Sequence, residues 1–318
     1  MRTTVSSGDK LDHYLLEEVV ARSRTVSVFR GTDLNTNRPV AVKVPHPDME
    51  SDPTFSVRFR REEEICKSMD HPGIMKVLAE DGRNQTYMVM EWFEGVTLRR
   101  LLDGARKLPS DRAVRIALSI CEALDYIQNH GVVHRDLKPE NVMVDAGDHI
   151  KLIGFGLAAQ VGARRITFTN LSQLVGTSEY VSPEELKGKR GDARSDIYSL
   201  GVMLYEMLAG QTPFPGVDPF ERVLKHPIPP RELEPSISPQ LQEVTYRALE
   251  PEAKNRYANA RDFARDLEHL DRVGVVDRSE LRAWKKQHTA RLRKVLTYVA
   301  VALVPIVVFT LLLYFARH

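Results

Sequence analysis

One octapeptide carries more potential chemistry than any other stretch of this sequence: residues 134–141 read HRDLKPEN. Asp136 is a candidate general base, Lys138 supplies a cation, and Asn141 is a candidate ligand for a metal ion or a phosphate. The proline and the polar side chains favour a loop over the interior of a helix or strand. An apolar, helix-like run precedes the loop, and two strand candidates follow it. The strand candidates are Val142–Val144 and Ile150–Ile153.

Four further stretches accompany this loop: VAVK at 40–43, GFG at 154–156, GTSEYVSPE at 176–184 and SDIYSLG at 195–201. Together with HRDLKPEN at 134–141 they resemble the motifs of the eukaryotic-type serine/threonine protein kinases, most of all the membrane-anchored kinases of bacteria. Their Lys-Pro-Glu and Ser-Pro-Glu segments disfavour small-molecule kinases such as the aminoglycoside phosphotransferases. The resemblance implies an α+β, bilobal protein-kinase fold, with an antiparallel β-rich small lobe at 10–92 and a helical large lobe at 93–270.

Hydrophobic patterning places the elements within these lobes. Alternation and turn residues predict strands at Tyr14–Val20, Ser27–Gly31, Pro39–Val44 and Tyr87–Phe93. Helical spacing predicts a helix at Arg58–Met69 and a long helix that has Ser110 as its N-cap and ends at Gly131. The remaining chain to about Leu270 is predicted to be mainly helical.

The resemblance assigns nucleotide binding to a set of residues around the small lobe, with ATP as the implied ligand. Lys43 would contact the α- and β-phosphates and pair with a helix carboxylate, for which Glu62 is chosen over the adjacent Glu63 and Glu64. An apolar slot would hold the adenine ring, and the backbone of Glu91–Phe93 would hydrogen-bond it, although an ordinary core would use the same residue types. The slot residues are Val28, Ala41, Met90, Glu91, Phe93 and Met143.

Within the octapeptide, the resemblance makes Asp136 the base that accepts the substrate hydroxyl proton. Lys138 would contact the transferred phosphate, as in serine/threonine kinases. Arg135 would dock a phosphorylated residue of the activation segment, and Thr177 would contact Asp136. The candidate phosphorylation sites are Thr167, Thr169 and Ser172.

Two structural contacts in the large lobe also follow from the resemblance. Glu184, at the end of the activation segment, would form a buried ion pair with Arg256. Asp196 would accept hydrogen bonds from backbone amides of the catalytic loop. Both contacts would support the fold whether or not phosphoryl transfer takes place.

Two departures from the family pattern fall in the parts that bind phosphate. Gly154 stands where the family has the aspartate that binds magnesium, so Asn141 remains as a neutral donor and Mg²⁺ or Mn²⁺ is disfavoured. The turn at 21–26 reads ARSRTV, without the glycines that bring backbone close to phosphate. It is expected to be an ordinary hairpin. Asp145 and Asp148 fall in a turn that leads away from the site.

Composition limits the remaining function classes. The net charge of +2 offers no electrostatic argument for nucleic-acid binding. Cys66 and Cys121 lie in apolar runs without metal-ligand spacing and are expected to be reduced core thiols. Residues 1–9 form a polar tail without the apolar segment of a secretory signal.

An uncharged, apolar run extends from Val295 to Phe315, which as a helix would span about 31 Å, the thickness of a bilayer's hydrocarbon core. A buried soluble helix is the alternative. The linker at 271–294 is rich in lysine and arginine, whereas Arg317 is the only one of these within the tail at 316–318. The positive-inside rule therefore predicts a single-pass C-terminal anchor with the kinase-like domain in the cytoplasm.

Two functions stay open. The first is a degenerate, pseudokinase-like member of the family, catalytically impaired and acting in signalling as a membrane-anchored module that binds a protein partner. Gly154 and the glycine-free turn favour it. The second is a genuine but slow ATP-dependent serine/threonine kinase with a protein substrate and Asp136 as its base. The retained Lys43, Lys138 and Asn141 favour this second reading.

Overall fold

The computed structural model describes residues 5–78, 82–160, 178–219 and 221–276, which form a strand-rich small lobe and a helical large lobe. The small-lobe strands are β1 (Lys10–Leu11), β2 (Tyr14–Arg22), β3 (Val26–Asp33), β4 (Arg38–Pro45) and β5 (Met88–Glu91). They form one antiparallel sheet in the order β1-β2-β3-β4-β5. The four predicted small-lobe strands are thus present, with bounds that differ by a few residues.

Strand β4, which lies between β3 and β5, positions the first candidate site residue, Lys43. Val42 is fully buried and lies opposite Phe29 of β3 and Val89 of β5, within a small core on one face of the sheet. Successive side chains of a strand point to opposite faces. Lys43, the next residue, therefore points to the other face, where the helix that contains Glu62 lies.

Two helices follow β4: α1 (Pro47–Glu50) and α2 (Pro53–Lys67). The prediction of a helix at 58–69 found α2 but placed its start too late. The Asp52 side chain caps the helix by accepting the amides of Thr54 and Phe55, at 2.8 and 3.3 Å. Pro53 suits the first helical position because that position needs no amide donor. The helix therefore begins a turn before its apolar periodicity is apparent.

The large lobe combines helices with short strands. Its helices are α3 (Leu98–Ala105), α4 (Ser110–Asn129), α5 (Pro183–Leu186), α6 (Ala193–Ala209), α7 (Pro230–Leu233), α8 (Pro239–Ala248) and α9 (Ala260–Glu268). Its strands are β6 (Val96–Thr97), β7 (Val132–Val133), β8 (Val142–Val144), β9 (Ile150–Leu152) and β10 (Ala159–Gln160). Strands β6, β8 and β9 form one antiparallel sheet, and β7 pairs with β10. Helix α6 is buried from Ser195 to Leu208 and packs against α4, α8 and α9.

The long helix α4 corrects one detail of the sequence analysis. Ser110 is its first helical residue, and the N-cap is Pro109, whose carbonyl accepts the Ala113 amide at 2.9 Å. Ser110 as N-cap was therefore wrong, because the proline already opens the helix. The predicted end lies two residues too late: the helix ends at Asn129, and Gly131 follows the C-cap His130 with a φ of +69°, in the left-handed region that favours glycine.

The predicted membrane span at 295–315 lies outside the described residues. Within the part of the chain that the structure does describe, none of the helices has both the length and the apolar character needed to cross a bilayer. Thr167, Thr169, Ser172 and Thr177 also lie outside the described residues.

Candidate active site

Strand β4 and helix α2 bring Lys43 and Glu62 together. The Lys43 Nζ donates to both carboxylate oxygens of Glu62, each at 2.8 Å, and the two side chains are 17% and 11% exposed. The adjacent Glu63 faces away from Lys43 and instead contacts Lys67 at 3.0 Å and Arg83 at 2.5 Å. The choice of Glu62 over Glu63 as the partner of Lys43 therefore agrees with the geometry.

Helix α6 anchors the candidate catalytic loop, residues 134–141. Asp196 accepts the backbone amides of His134 and Arg135, at 2.8 and 2.9 Å, as the sequence analysis anticipated. Burial raises the pKa of Asp196, while the charges of His134 and Arg135 and the backbone hydrogen bonds from these residues act in the opposite direction. Arg135 adopts a φ of +64°, which turns the chain sharply between the two amides and Asp136. The loop is therefore held through its main chain, and the side chains that follow Arg135 in the loop are available for chemistry.

Three side chains of this loop form a closed cluster. Lys138 Nζ donates to Asp136 Oδ1 at 2.9 Å, and Asn141 Nδ2 donates to Asp136 Oδ2 at 2.8 Å and to the Asp136 carbonyl at 2.6 Å. The Asp136 and Lys138 side chains are 27% and 16% exposed. Both Asp136 oxygens thus already accept hydrogen bonds, and the Asn141 amide is turned towards Asp136.

Gly154 packs directly against Asn141. It has φ and ψ of +82° and +41°, and a Cβ at this position would lie 2.7 Å from both Cγ and Oδ1 of Asn141. Side-chain carbons do not approach other atoms this closely, so Asn141 fills the space where a longer residue at 154 would begin. Phe155, by contrast, is fully buried, and its ring lies 4.6 Å from that of His134. The aromatic member of the motif thus contributes to the core while the position before it carries no side chain.

The adenine-slot candidates lie at the junction of the two lobes. Ala41 pairs with Met90 in the β4–β5 register, and Met143 is the central residue of β8, opposite Thr97 and Lys151. Val28, Met90, Phe93 and Met143 remain partly exposed, whereas Ala41 is buried. Apolar side chains with this exposure offer surface that a planar ring would cover.

A contact across the junction was not foreseen from the sequence. The Glu91 side chain accepts from Lys151 Nζ of β9 at 2.5 Å and from the Lys76 amide at 2.9 Å. The Glu91 carboxylate therefore already accepts two hydrogen bonds, and only the Glu91 backbone is available to hydrogen-bond an adenine. The two partners are far apart in sequence, and no local motif marks Lys151 as an ion-pair partner.

The turn between β2 and β3 closes without glycine. Ser23 accepts the amides of Thr25 and Val26 through its Oγ, at 3.2 and 3.1 Å, and its own amide donates to the Val26 carbonyl at 2.9 Å. No residue of 21–26, all of which the structure describes, has a positive φ. His46 braces the turn through its ring, at 3.2 Å from the Arg24 carbonyl. The expectation of an ordinary hairpin agrees with this geometry.

The end of the activation segment is held by the ion pair expected from the sequence. Arg256 donates to Oε1 and Oε2 of Glu184 at 2.8 Å each, and Ser195 donates to Oε1 at 2.6 Å. Burial alone would raise the pKa of Glu184, but the hydrogen bonds and charge of Arg256 lower it to about 2. This ion pair stabilises the large lobe.

The lowered pKa of Glu184 predicts acid sensitivity that depends on this residue. A depressed carboxylate pKa stabilises the fold above the unfolded-state value of about 4.5, and the stabilisation is lost as the pH falls towards about 2. Glu184→Gln should therefore lower the free energy of unfolding at pH 7, and the deficit relative to the native chain should shrink below about pH 4.5. Urea unfolding of both chains at several pH values measures this. A deficit that is constant with pH would contradict the expectation.

Arg135 lies beside two further cations. Its Nη2 donates to the Gly191 carbonyl at 3.1 Å. Burial lowers the pKa of Arg135; the charges of Arg190 and Arg61 act in the same direction, and those of Glu185 and Asp196 oppose them. The phosphorylated residue that it was expected to dock would come from the segment outside the described residues.

Two other acidic residues near the catalytic loop, Asp145 and Asp148, make contacts away from the candidate site. Asp145 accepts the amides of Gly147 and His149, at 2.8 and 2.9 Å, and Asp148 contacts Arg112 at 2.8 Å. These contacts lie within the turn that joins β8 to β9 and on α4, as the sequence placed them. Neither carboxylate takes the place of the one missing at 154.

Comparisons with known proteins agree with this architecture. The sequence matches the family model described as protein kinase domain over residues 16–269. The serine/threonine-protein kinase PknB of Mycolicibacterium smegmatis is 36% identical over 266 residues, covering 80% of this chain and 42% of that protein. PknB of Mycobacterium leprae gives the same identity and coverage. The crystal structure of the Mycobacterium tuberculosis PknI kinase domain aligns with a TM-score of 0.65 at 26% identity, covering 84% of this chain and 100% of that one.

The chain therefore belongs to the eukaryotic-type serine/threonine protein kinase family. It spans 42% of the length of the PknB relatives, so it corresponds to part of those proteins. The family transfers phosphate from ATP to protein hydroxyl groups and uses a divalent cation to do so.

The residues at this site do not fit that cation. Mg²⁺ is normally bound through one or two carboxylates together with substrate phosphates. Here position 154 is a glycine and supplies no ligand, and Asn141 is neutral. The Asp136 oxygens face Lys138 and Asn141.

Proposed function

We propose that this chain is a catalytically impaired homologue of serine/threonine protein kinases, acting in signalling as a binding or regulatory module. The observation that carries the proposal is the packing of Gly154 against Asn141, where a Cβ would lie 2.7 Å from the asparagine side chain. Phosphoryl transfer depends on positioning the phosphates and on neutralising their charge with metal ions. A site that has lost its charged metal ligand and filled the space lacks the main electrostatic contribution.

The scaffold around the site supports a binding role. The Lys43–Glu62 pair, the Asp196 anchor of the catalytic loop and the Glu184–Arg256 pair are all formed. The first of these contacts lies within the small lobe and the other two within the large lobe, and each stabilises its lobe without requiring turnover. We propose ATP as a ligand of Lys43 and of the apolar slot, with Val28, Ala41, Met90, Phe93 and Met143 around the ring and the Glu91 backbone at its edge.

A slow kinase is the second candidate. It is favoured by the contact of Lys138 with Asp136, because an ordered base and an adjacent cation are more than nucleotide binding alone requires. In this candidate Asp136 accepts the hydroxyl proton of a protein substrate. Lys138 would stabilise the transferred phosphate, and the resemblance would place Thr177 in contact with Asp136. Arg135 would respond to phosphorylation of the activation segment.

The partner is proposed to be a protein, and the site of action a membrane. Residues 295–315 would form the single-pass anchor, with the kinase-like domain on the cytoplasmic side, as the basic linker at 271–294 suggests. Nucleic acid is not proposed as a partner, since the net charge is +2. Retention of the full chain in membranes after alkaline extraction, and its loss when 295–315 is deleted, tests the anchor.

Phosphate transfer by the full chain tests the proposed impairment. The chain, in detergent micelles, is incubated with γ-radiolabelled ATP, a generic protein substrate, and Mg²⁺ or Mn²⁺. We expect incorporation no greater than that of Asp136→Asn, which removes the base but keeps the shape. A working general base contributes about 10²–10⁴-fold, so a genuine kinase would show a loss of that order in Asp136→Asn. Such a loss would establish the slow kinase and overturn the impairment.

A further inference from the structure

We infer that an adenine nucleotide is held at this site as the metal-free anion, so that Mg²⁺ and Mn²⁺ do not strengthen its binding. The inference rests on the nucleotide role proposed above for Lys43. It concerns the binding equilibrium and not the transfer of phosphate. Its basis is the misfit between the family's cation and the donors that this chain places around the phosphate region.

The first step is the space at Gly154. The Cγ and Oδ1 of Asn141 lie 2.7 Å from the position of a Cβ on Gly154, and Nδ2 lies 3.0 Å from it. The Asn141 amide therefore lies against the point at which any side chain at 154 would begin. Asn141 also directs its Nδ2 to Asp136 at 2.8 Å, which fixes the orientation of that amide.

The second step is that the remaining carboxylates near the lysines already have cationic or amide partners. Both oxygens of Glu62 accept from Lys43 at 2.8 Å. The two oxygens of Asp136 accept from Lys138 and Asn141 at 2.9 and 2.8 Å. A divalent cation would have to displace these donors before either carboxylate could bind it. This donor arrangement disfavours a hard dication.

The third step is that two ammonium groups remain to meet the phosphate charge. The Lys43 and Lys138 side chains are 17% and 16% exposed, so their attraction for an anion is screened less than at the open surface. An ammonium group has three N–H donors. Lys43 directs two of them to Glu62 and Lys138 directs one to Asp136, which leaves donors for phosphate oxygens. The electrostatic role of the metal thus passes to lysine.

Equilibrium titration with a fluorescent ATP analogue, N-methylanthraniloyl-ATP, tests the inference on the full chain in detergent micelles. One titration contains excess EDTA, and matched titrations contain excess Mg²⁺ or Mn²⁺. We expect saturable binding in EDTA, with dissociation constants that agree within about threefold among the three conditions. Unlabelled ATP should displace the probe equally well with and without the cation.

Two matched variants locate the binding. Lys43→Met should weaken binding by about tenfold or more in EDTA, because it removes an ammonium from the phosphate region. Lys225→Met makes the same chemical change in an exposed ion pair with Glu221, at 2.8 Å in the large lobe, and should leave the dissociation constant unchanged. The native chain in EDTA and in Mg²⁺ already decides the question if Lys43→Met does not fold.

Tightening of about tenfold or more by either cation would overturn the inference, since it would require a metal site. Absence of binding in every condition would also overturn it, while leaving the proposed catalytic impairment intact. Conversely, metal-independent binding together with phosphate transfer that Asp136→Asn abolishes would overturn the impairment alone. The two proposals therefore fail on different measurements.

Discussion

Replacing Arg256 with alanine is expected to lower the free energy of unfolding by about 3–5 kcal/mol, because the change strands a buried carboxylate. The Arg256 side chain is fully buried, and Glu184 is 16% exposed. The guanidinium also donates to three main-chain carbonyls at 2.7–3.1 Å and lies 4.8 Å from the ring of Tyr198. Losing the guanidinium removes all these contacts at once and leaves the Glu184 carboxylate without its cationic partner.

Arg261→Ala is the matched control for this prediction. Arg261 is 74% exposed and makes an ion pair with Asp125 at 2.8 Å, so its removal should cost about 0–0.5 kcal/mol. Arg256→Lys keeps the charge but not the two-pronged geometry, and should fall between the two alanine variants. Urea unfolding of the full chains, followed by circular dichroism, gives the free energies by linear extrapolation. Similar losses in Arg256→Ala and Arg261→Ala would show that the buried pair contributes no more than a surface one.

The fold was predictable because its motifs are local, whereas several element boundaries were not. The octapeptide at 134–141 and the Val-Ala-Val-Lys strand indicate the family directly, and the alternation of apolar residues places the small-lobe strands. The start of α2 was missed because Asp52 and Pro53 act through capping, before any apolar period is visible. Ser110 was misassigned as N-cap because a serine ahead of an apolar run is a good capping signal, and Pro109 overrode it.

The residues of the candidate site could be predicted from the sequence, but the contacts between their side chains could not. The sequence alone shows that position 154 lacks a carboxylate. That Asn141 then occupies the space, and that its amide faces Asp136, follows from packing between segments separated in sequence. The same holds for Glu91, whose carboxylate is bound by Lys151 across the junction. Contacts of this kind depend on how β8, β9 and the small lobe come together, which no local pattern encodes.

Gly154→Ala is expected to lower the free energy of unfolding by about 2–4 kcal/mol. About 1 kcal/mol comes from placing a side chain at a φ of +82°, and the rest from displacing the Asn141 amide, which would lose its hydrogen bonds to Asp136 at 2.6 and 2.8 Å. Gly188→Ala is a matched control, because Gly188 has a φ of +70° but no atom within 4 Å of a new Cβ. It should therefore cost only the conformational part, about 1 kcal/mol.

The collision can be isolated with a double-mutant cycle. In an Asn141→Ala background, the cost of Gly154→Ala should fall towards that of Gly188→Ala, with a coupling of about 1–3 kcal/mol between the two positions. Urea unfolding of the four chains of the cycle measures this coupling. Gly154→Asp alone is likewise not expected to create phosphate transfer, since its side chain would have to displace the Asn141 amide from its hydrogen bonds to Asp136. Equal costs at 154 and 188, or transfer gained by Gly154→Asp, would show that Asn141 moves aside readily and that the metal site was lost through a single residue.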